Sequence, residues 1–316
     1  MIDYKGFIQD HFLIKNKQGE IVPFSFNDTQ RYYYDLLIND YPDMQGVREN
    51  ILKFRQPGIS SLIDAILTVD FIMSELRKAP LTDCDIVSHK QAEAKVLFNR
   101  VDFFLDSFCN KAGLNKKDLL AADNSLALIG KRGSEMHVQT ASAKVSGRGG
   151  TKQSIHWSEI GFYPNTEILN AQDLVLGAEQ QVLDGTGKIF RESTGNISGD
   201  FFSEEYERGK RGEGYYKSRF FGWWIHKEYS LTPPSDWQPP IEYQNLMKLH
   251  GATIEQCYWH FKKIQSAIDP AKAKREYPTD DTEAFLMSGE QYFDGETLLK
   301  YQAMIQQPML SGVIYV

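Results

Sequence analysis

Lys53, Ser60 and Glu159 offer the cation, the hydroxyl and the carboxylate that handling a phosphate chain requires. The first two lie in Lys53-Phe54-Arg55-Gln56-Pro57-Gly58-Ile59-Ser60-Ser61, which follows a mixed run from Val47 to Leu52 and precedes Leu62, Ile63, Ala65, Ile66 and Val69. That pattern predicts a strand, a turn around Gly58 and a helix opening on serines. Such a turn aims backbone N–H groups and the positive end of a helix dipole at one point, which is how phosphate is held. The usual P-loop, G-x-x-x-x-G-K-[ST], has its lysine just before the serine. Here Ile59 holds that position, Gly58 and Ser60 keep theirs, and Lys53 stands where the first glycine is expected. A lysine stem can reach the same phosphates from there, while Ser60 keeps a hydroxyl for Mg²⁺. The competing interpretation is a pair of solvated cations, Lys53 and Arg55, beside an ordinary glycine turn.

A second signal is Ser154-Ile155-His156-Trp157-Ser158-Glu159, a short apolar-leaning strand ending in an acid. In NTPases a strand of this kind ends in Asp-Glu, the Asp in the Mg²⁺ shell and the Glu polarising water. Ser158 replaces the Asp and can hold a metal through water, which leaves Glu159 as the carboxylate placed to act as general base. Glu159 capping the next segment is the plainer alternative. A third signal is Lys188-Ile189-Phe190-Arg191-Glu192-Ser193-Thr194-Gly195-Asn196, another strand that runs into a small polar turn, a shape suited to sensing a γ-phosphate.

Together with Asp85 to Ala94 and Arg275 to Phe285, these phrases resemble, in order and spacing, the ATPase part of a tailed-bacteriophage large terminase. The likeness spans nearly the whole chain. It implies an α/β P-loop NTPase with a mostly parallel central sheet flanked by helices, plus a small α-helical lid. It implies an ATP-driven motor using ATP and Mg²⁺ to move double-stranded DNA, with a portal protein and a small terminase subunit as partners. A homo-oligomeric ring when assembled, a monomer in isolation and the host cytoplasm as location also follow from it. In this resemblance Asn27 and Gln30 read adenine, and residues 53 to 61 (Lys53, Arg55, Gln56, Pro57, Gly58, Ile59, Ser60 and Ser61) cradle ATP. Arg55 senses phosphate in cis, and Ser60, Ser158 and Glu159 surround the metal. Ser193, Thr194 and Asn196 relay the γ-phosphate state toward the lid, and Arg148 reaches a neighbouring subunit as an arginine finger. The expected layout is an ATPase core over 1–231, the lid over 232–300 and a linker over 301–316 toward a nuclease domain that the chain is too short to include. A helicase-like translocase and a nucleotide-dependent assembly protein without turnover are the alternatives.

At 316 residues, 41% hydrophobic and 13% aromatic, the chain can bury a full core. No apolar run approaches the roughly 18 residues of a membrane span, and the N-terminus lacks a signal-peptide pattern. Cys84, Cys109 and Cys257 lie far apart without CxxC spacing, which argues against a zinc site or a disulfide framework. The net charge of −7 runs against constitutive DNA binding, so local basic clusters matter. Candidates are Arg208, Lys210, Arg211, Lys217 and Arg219, interleaved with Tyr215 and Tyr216, and Lys144 with Arg148 and Lys152. Each can equally be a solvated face.

Periodicity supplies the elements that must position these residues. Residues 1–27 read as short mixed segments, and Asp28 as the N-cap of a helix through Leu37. Strand and helix then alternate: a strand over Asp85 to Ser88, a helix over His89 to Phe108, and strands over Ser125 to Ile129 and Met136 to Ala141. A Gly-rich loop follows at 146–150, then a helix near 168–183, a helix over Phe201 to Lys210 and a strand over Tyr216 to Trp224. His89 and Lys90 fall at a strand's C-terminal end, where open α/β sheets put their ligands. After the prolines at 233, 234, 239 and 240 the pattern is helical only, over Tyr243 to Leu249, Thr253 to Ile268 and Pro270 to Glu276.

Overall fold

Strands apolar on both faces need a helical layer on each side. Ile51, Ile86 and Phe190 point into one hydrophobic cluster, whereas their neighbours Leu52, Val87 and Ile189 point into another. The computed structural model describes residues 2–124, 126–142, 150–166 and 169–285. The chain opens with α1 (Tyr4–His11) and a small hairpin, β1 (Leu13–Lys15) with β2 (Ile21–Pro23), followed by α2 (Asp28–Asp40). Then come β3 (Arg48–Lys53), α3 (Ile59–Glu75), β4 (Asp83–Ser88), α4 (Gln91–Ala112) and the short α5 (Lys116–Leu119). The middle of the chain forms β5 (Leu120–Asn124), β6 (Ala127–Gly130), β7 (Glu135–Thr140), β8 (Ser154–Ser158), α6 (Ala171–Glu179), β9 (Lys188–Ser193), α7 (Phe201–Lys210) and β10 (Lys217–Phe221). Four helices follow: α8 (Ile241–His250), α9 (Ile254–Gln265), α10 (Pro270–Glu276) and α11 (Asp281–Ala284).

The eight-stranded sheet has the order β10-β3-β9-β8-β4-β7-β6-β5. Pairing is parallel from β10 to β7 and antiparallel where β6 and β5 complete the edge. This is the expected α/β architecture with a mostly parallel sheet flanked by helices. One position in it bears on the chemistry: β9 lies between β3 and β8, so its C-terminal end separates the Gly58 turn from Glu159. Helices α1 to α4 cover one face, and α6 and α7 cover the other with Leu174, Val175, Phe202 and Tyr206 against Trp157 and Ile155.

One local expectation holds and one is corrected. Residues 1–27 are short mixed segments, a helix and a hairpin, and Tyr4 and Ile8 give α1 a buried stripe against the core. The N-cap of α2 is Asn27 rather than Asp28, with its side chain accepting from the Gln30 N–H in a reciprocal capping box.

Helices α8 to α10 join the first core cluster through Tyr243, Leu246, Cys257 and Tyr277. His260 stacks on Trp223 at 4.3 Å, and Gln256 Nε2 donates to the Trp224 carbonyl at 2.9 Å. Helix α11 packs elsewhere, with Ala284 and Phe285 in the second cluster beside Phe202 and Tyr206. The last residues of the expected lid, and the linker over 301–316, lie outside the described residues. At Gly195 the Ala284 carbonyl oxygen comes so close that an added Cβ would sit 2.0 Å from it. The polar turn after β9 and the final described helix are therefore in contact, which no side chain at 195 would permit. Gly195→Ala should lower stability by about 1–3 kcal/mol through overpacking. A melting temperature equal to that of the native chain would show that α11 yields without cost.

Candidate nucleotide site

The site lies at the carboxyl ends of β3, β9, β8 and β4, the edge at which parallel sheets hold ligands, with Ser60 on the first turn of α3 and Asn27 and Gln30 at the start of α2. Gly58 adopts φ +83°, and a Cβ there would lie 2.7 Å from Gln30 Nε2, so both conformation and space require glycine. Asn27 Nδ2 donates to the Pro57 carbonyl at 3.0 Å and Gln30 Nε2 to the Gly58 carbonyl at 2.8 Å. In a trans peptide the next N–H points opposite to the carbonyl. Pinning these two oxygens to α2 therefore turns the Gly58 and Ile59 N–H groups the other way. The free first-turn amides of α3 point out beyond the helix's N-terminal end as well. Gln56, at φ 60°, is a non-glycine residue held in the left-handed region within the same turn.

Beneath the turn lies a chain of buried charges. Lys53, 3% exposed, places Nζ 2.7 Å from Glu159 Oε1 and 3.0 Å from Glu192 Oε2. Glu192 Oε1 accepts from Ser60 Oγ and from Ser158 Oγ, both at 2.8 Å. His156 Nδ1 is 2.9 Å from Asp64 Oδ1, its Nε2 is 3.4 Å from Glu192 Oε1, and Arg100 closes the chain at 2.7 Å from Asp64 Oδ2. Burial alone would raise the Glu192 pKa, but Lys53 and His156 outweigh it and hold the carboxyl far below its ordinary range. Burial likewise pulls Lys53 down, and Glu159 and Glu192 overcome this and hold it above its ordinary value. In His156 burial is again opposed, by Asp64 and Glu192, and the imidazole pKa rises to about 9.

Glu159 differs from Glu192 in reach. Its side chain is 27% exposed whereas that of Glu192 is fully buried. Its backbone is left-handed at φ 54°, uncommon for a residue with a Cβ, and this swings the carboxylate off the strand end. Oε2 accepts from the Thr194 N–H at 3.0 Å, Thr194 Oγ1 at 3.3 Å and Ser193 Oγ at 3.4 Å. Asn196 Nδ2 donates to the Gly161 carbonyl at 2.8 Å, so the polar turn after β9 grips the whole segment that carries Glu159.

The structure thus brings together Lys53, Ser60, Ser158, Glu159, Ser193 and Thr194, as the sequence suggested. Ile59 is fully buried in the core and contributes only its backbone. Arg55 faces the helical region: its guanidinium is 3.0 Å from Glu276 Oε2, and its N–H donates to the Glu276 carbonyl at 2.8 Å. Ser61 lies half-buried on the first turn of α3. The Asn27 and Gln30 amides are engaged by the turn's carbonyls and by their own capping box, so an adenine contact would draw on groups already in use. Arg148 lies outside the described residues, as does Lys144. His89 caps β4 with Nδ1 buried and unbonded among the described residues, and burial lowers its pKa. Sequence reasoning missed Glu192, His156 and Asp64. The signals were there, a carboxylate inside a strand and a histidine flanked by Ile155 and Trp157, but neither names its partner.

The donors around Ser60 are hydroxyl and carboxylate oxygens, the hard set that Mg²⁺ takes, and they sit at the mouth of a turn of N–H groups. They therefore fit a magnesium-bound phosphate chain. A parallel sheet with a pinned glycine turn, a buried lysine and acids at its carboxyl edge is an arrangement suited to holding phosphate. The fold is shared with the large terminase of bacteriophage HK97, at 14% identity and TM-score 0.56 over 84% of this chain and 51% of that one. The large terminase ATPase domain of Thermus phage P74-26 aligns at 14% identity and TM-score 0.46, over 79% of this chain and 97% of that one. The large terminase of another thermophilic bacteriophage aligns at 10% identity and TM-score 0.45, over 70% of this chain and 50% of that one. No family model matches the chain, and no curated protein matches it in sequence. The chain therefore has the fold of a bacteriophage large terminase and spans about half the length of the HK97 protein.

The His156 shift makes stability depend on pH. The folded state binds the imidazole proton more tightly than the unfolded chain, so this contribution is complete below about 6.5 and disappears as pH climbs through about 9. Melting temperature should fall across that window in the native protein. His156→Gln should flatten the fall and cost on the order of 3 kcal/mol at neutral pH. Parallel pH profiles for the two proteins would show that folding does not raise the imidazole pKa.

Proposed function

We propose that this chain is the ATP-hydrolysing motor of a viral DNA-packaging terminase, which drives double-stranded DNA into a procapsid. The observation that carries the reading is the Lys53 clamp: a buried ammonium beneath the Gly58 turn, shared by one solvent-reaching carboxylate and one sealed one. The N–H groups of the turn bind the phosphates, and Lys53 exchanges a carboxylate for phosphate oxygen as the nucleotide enters. Mg²⁺, when bound, neutralises charge between the β- and γ-phosphates. Released from Lys53, Glu159 orients the attacking water and accepts its proton, the role open to the more exposed of the two acids.

Two contacts give this chemistry a mechanical outlet. Arg55 can pair with phosphate or with Glu276, so occupancy of the turn competes with its hold on α10. Thr194 and Ser193 read the position of Glu159, and Gly195 passes it by direct contact to α11. The helices from residue 232 onward are in this reading the lid, Asn27 and Gln30 border the adenine, and Arg148 acts on a neighbour in a ring. A portal protein and a small terminase subunit complete the assembly in the host cytoplasm. Among the described residues no helix is long and apolar enough to cross a membrane.

ATP turnover measured with and without duplex DNA tests the reading. Glu159→Gln should lose about 10²–10⁴ in rate while still binding ATP, and Lys53→Ala should lose both. Packaging of DNA into procapsids should stop in either variant. A native chain that hydrolyses no ATP even with DNA and its packaging partners, or Glu159→Gln turning over at the native rate, would overturn it.

A further inference from the structure

We infer that Glu192 supplies the metal-shell carboxylate of this site from β9, in place of the aspartate that β8 lacks. The inference rests on the nucleotide reading above and assigns a positioning residue within it. In P-loop enzymes the magnesium is held by the P-loop Ser or Thr together with an acid at the end of a neighbouring strand. Here that strand ends in Ser158, which has no charge to offer. Parallel register sets Ser158 beside Glu192 on the adjacent strand. The Glu192 carboxylate reaches across: a single oxygen, Oε1, accepts from Ser158 Oγ and from Ser60 Oγ, the P-loop hydroxyl, at 2.8 Å each. The acid has thus moved one strand sideways while its contact with the P-loop serine is kept, and Ser158 has become the hydroxyl that fixes it.

Three observations set Glu192 apart from an ordinary structural ion pair. Its other oxygen, Oε2, is buried and, apart from the Lys53 ammonium at 3.0 Å, has no partner among the described residues. That leaves lone pairs aimed at the place where Lys53 now sits. When Lys53 exchanges Glu159 for phosphate oxygen, its charge is shared with the phosphates, and Glu192 is left able to take a further cation or a cation's water. Behind Glu192, His156 is held in turn by Asp64, and Asp64 by Arg100. A buried carboxylate braced from behind cannot relax away from the site when Lys53 shifts toward phosphate. Its geometry is fixed before the metal arrives.

Binding of ATPγS, titrated in EDTA and then in rising Mg²⁺, tests the assignment without turnover. Glu192→Asp keeps the charge that Lys53 and His156 require but withdraws the oxygen by one methylene. Measured against the variant's own metal-free affinity, the Mg²⁺ needed for half-maximal tightening should rise about 10–100-fold, the usual effect of a disturbed outer-shell partner. Glu192→Gln should lose the magnesium effect, and Ser158→Asp added to it should restore most of that effect by returning the acid to β8. Circular dichroism of each variant checks the fold, and the Ser158→Asp/Glu192→Gln pair retains the buried charge should the single Gln variant not fold. Native Mg²⁺ dependence in folded Glu192→Asp, or no recovery in the folded double variant, would overturn the assignment alone. A native protein that binds no ATPγS under any condition would overturn the nucleotide reading, and this assignment with it.

Discussion

A lysine sealed at the end of a central strand must be neutralised, and much of the site follows from how this one is. An ammonium taken out of water loses several kcal/mol of solvation, which only close carboxylates can offset. Lys53 has two, from different strands, and each brings its own company. Glu192 draws in Ser60, Ser158 and His156, and Glu159 draws in Ser193 and Thr194. The first set ties the strand ends to the opening of α3, and the second ties the acid to the polar turn. One buried cation therefore holds three strands in a fixed relation at the edge where a ligand would bind.

The same constraint explains how so polar a centre can sit in a fold otherwise built from apolar alternation. Each buried charge in the row from Glu159 to Arg100 touches one of opposite sign, so no ion is left alone in the low-dielectric interior. Such rows are individually worth little as a source of stability, since hydrophobic replacements of the same volume often do as well. Their retention at a sheet's carboxyl edge fits a functional role better than a structural one. The left-handed backbones of Gln56 and Glu159 lie beside it, where strain is held by the surroundings rather than relieved.

Charge elsewhere is spent on the fold. Arg208 pairs with Glu205, Lys210 with Asp281, Arg211 with Glu213, and Lys217 and Arg219 with Asp40. The segment that looked like a basic patch is therefore matched by acids from α2, α7, the turn after α7 and α11, and Arg219 is further tied to the buried Glu49. Lys152 is likewise held by Asp83 and Asp85 at the opposite end of the sheet from the Gly58 turn. A duplex gripped along either set would first have to displace those carboxylates, which accords with the net negative charge of the chain.

Local pattern determined most of the architecture. Strand–helix alternation, the Gly58 turn, the helix over Phe201 to Lys210 and that over Pro270 to Glu276 follow from periodicity and capping, which act within a few residues and are written in consecutive positions. That Lys53, Ser60 and Glu159 lie near one another was legible because a glycine turn and an acid-ended strand are themselves local shapes. What the sequence could not decide was which side chains from separate strands would meet. Strand order places β9 between β3 and β8, and register then sets Glu192 against Ser158 and within reach of Ser60. Residues more than 130 positions apart, such as Ser60 and Glu192, are joined only by that pairing. Tertiary packing also gave Asn27 and Gln30 their hold on the turn and matched Arg55 with Glu276, because a hydrogen bond between distant segments depends on where the sheet puts its ends, and no local rule carries that distance.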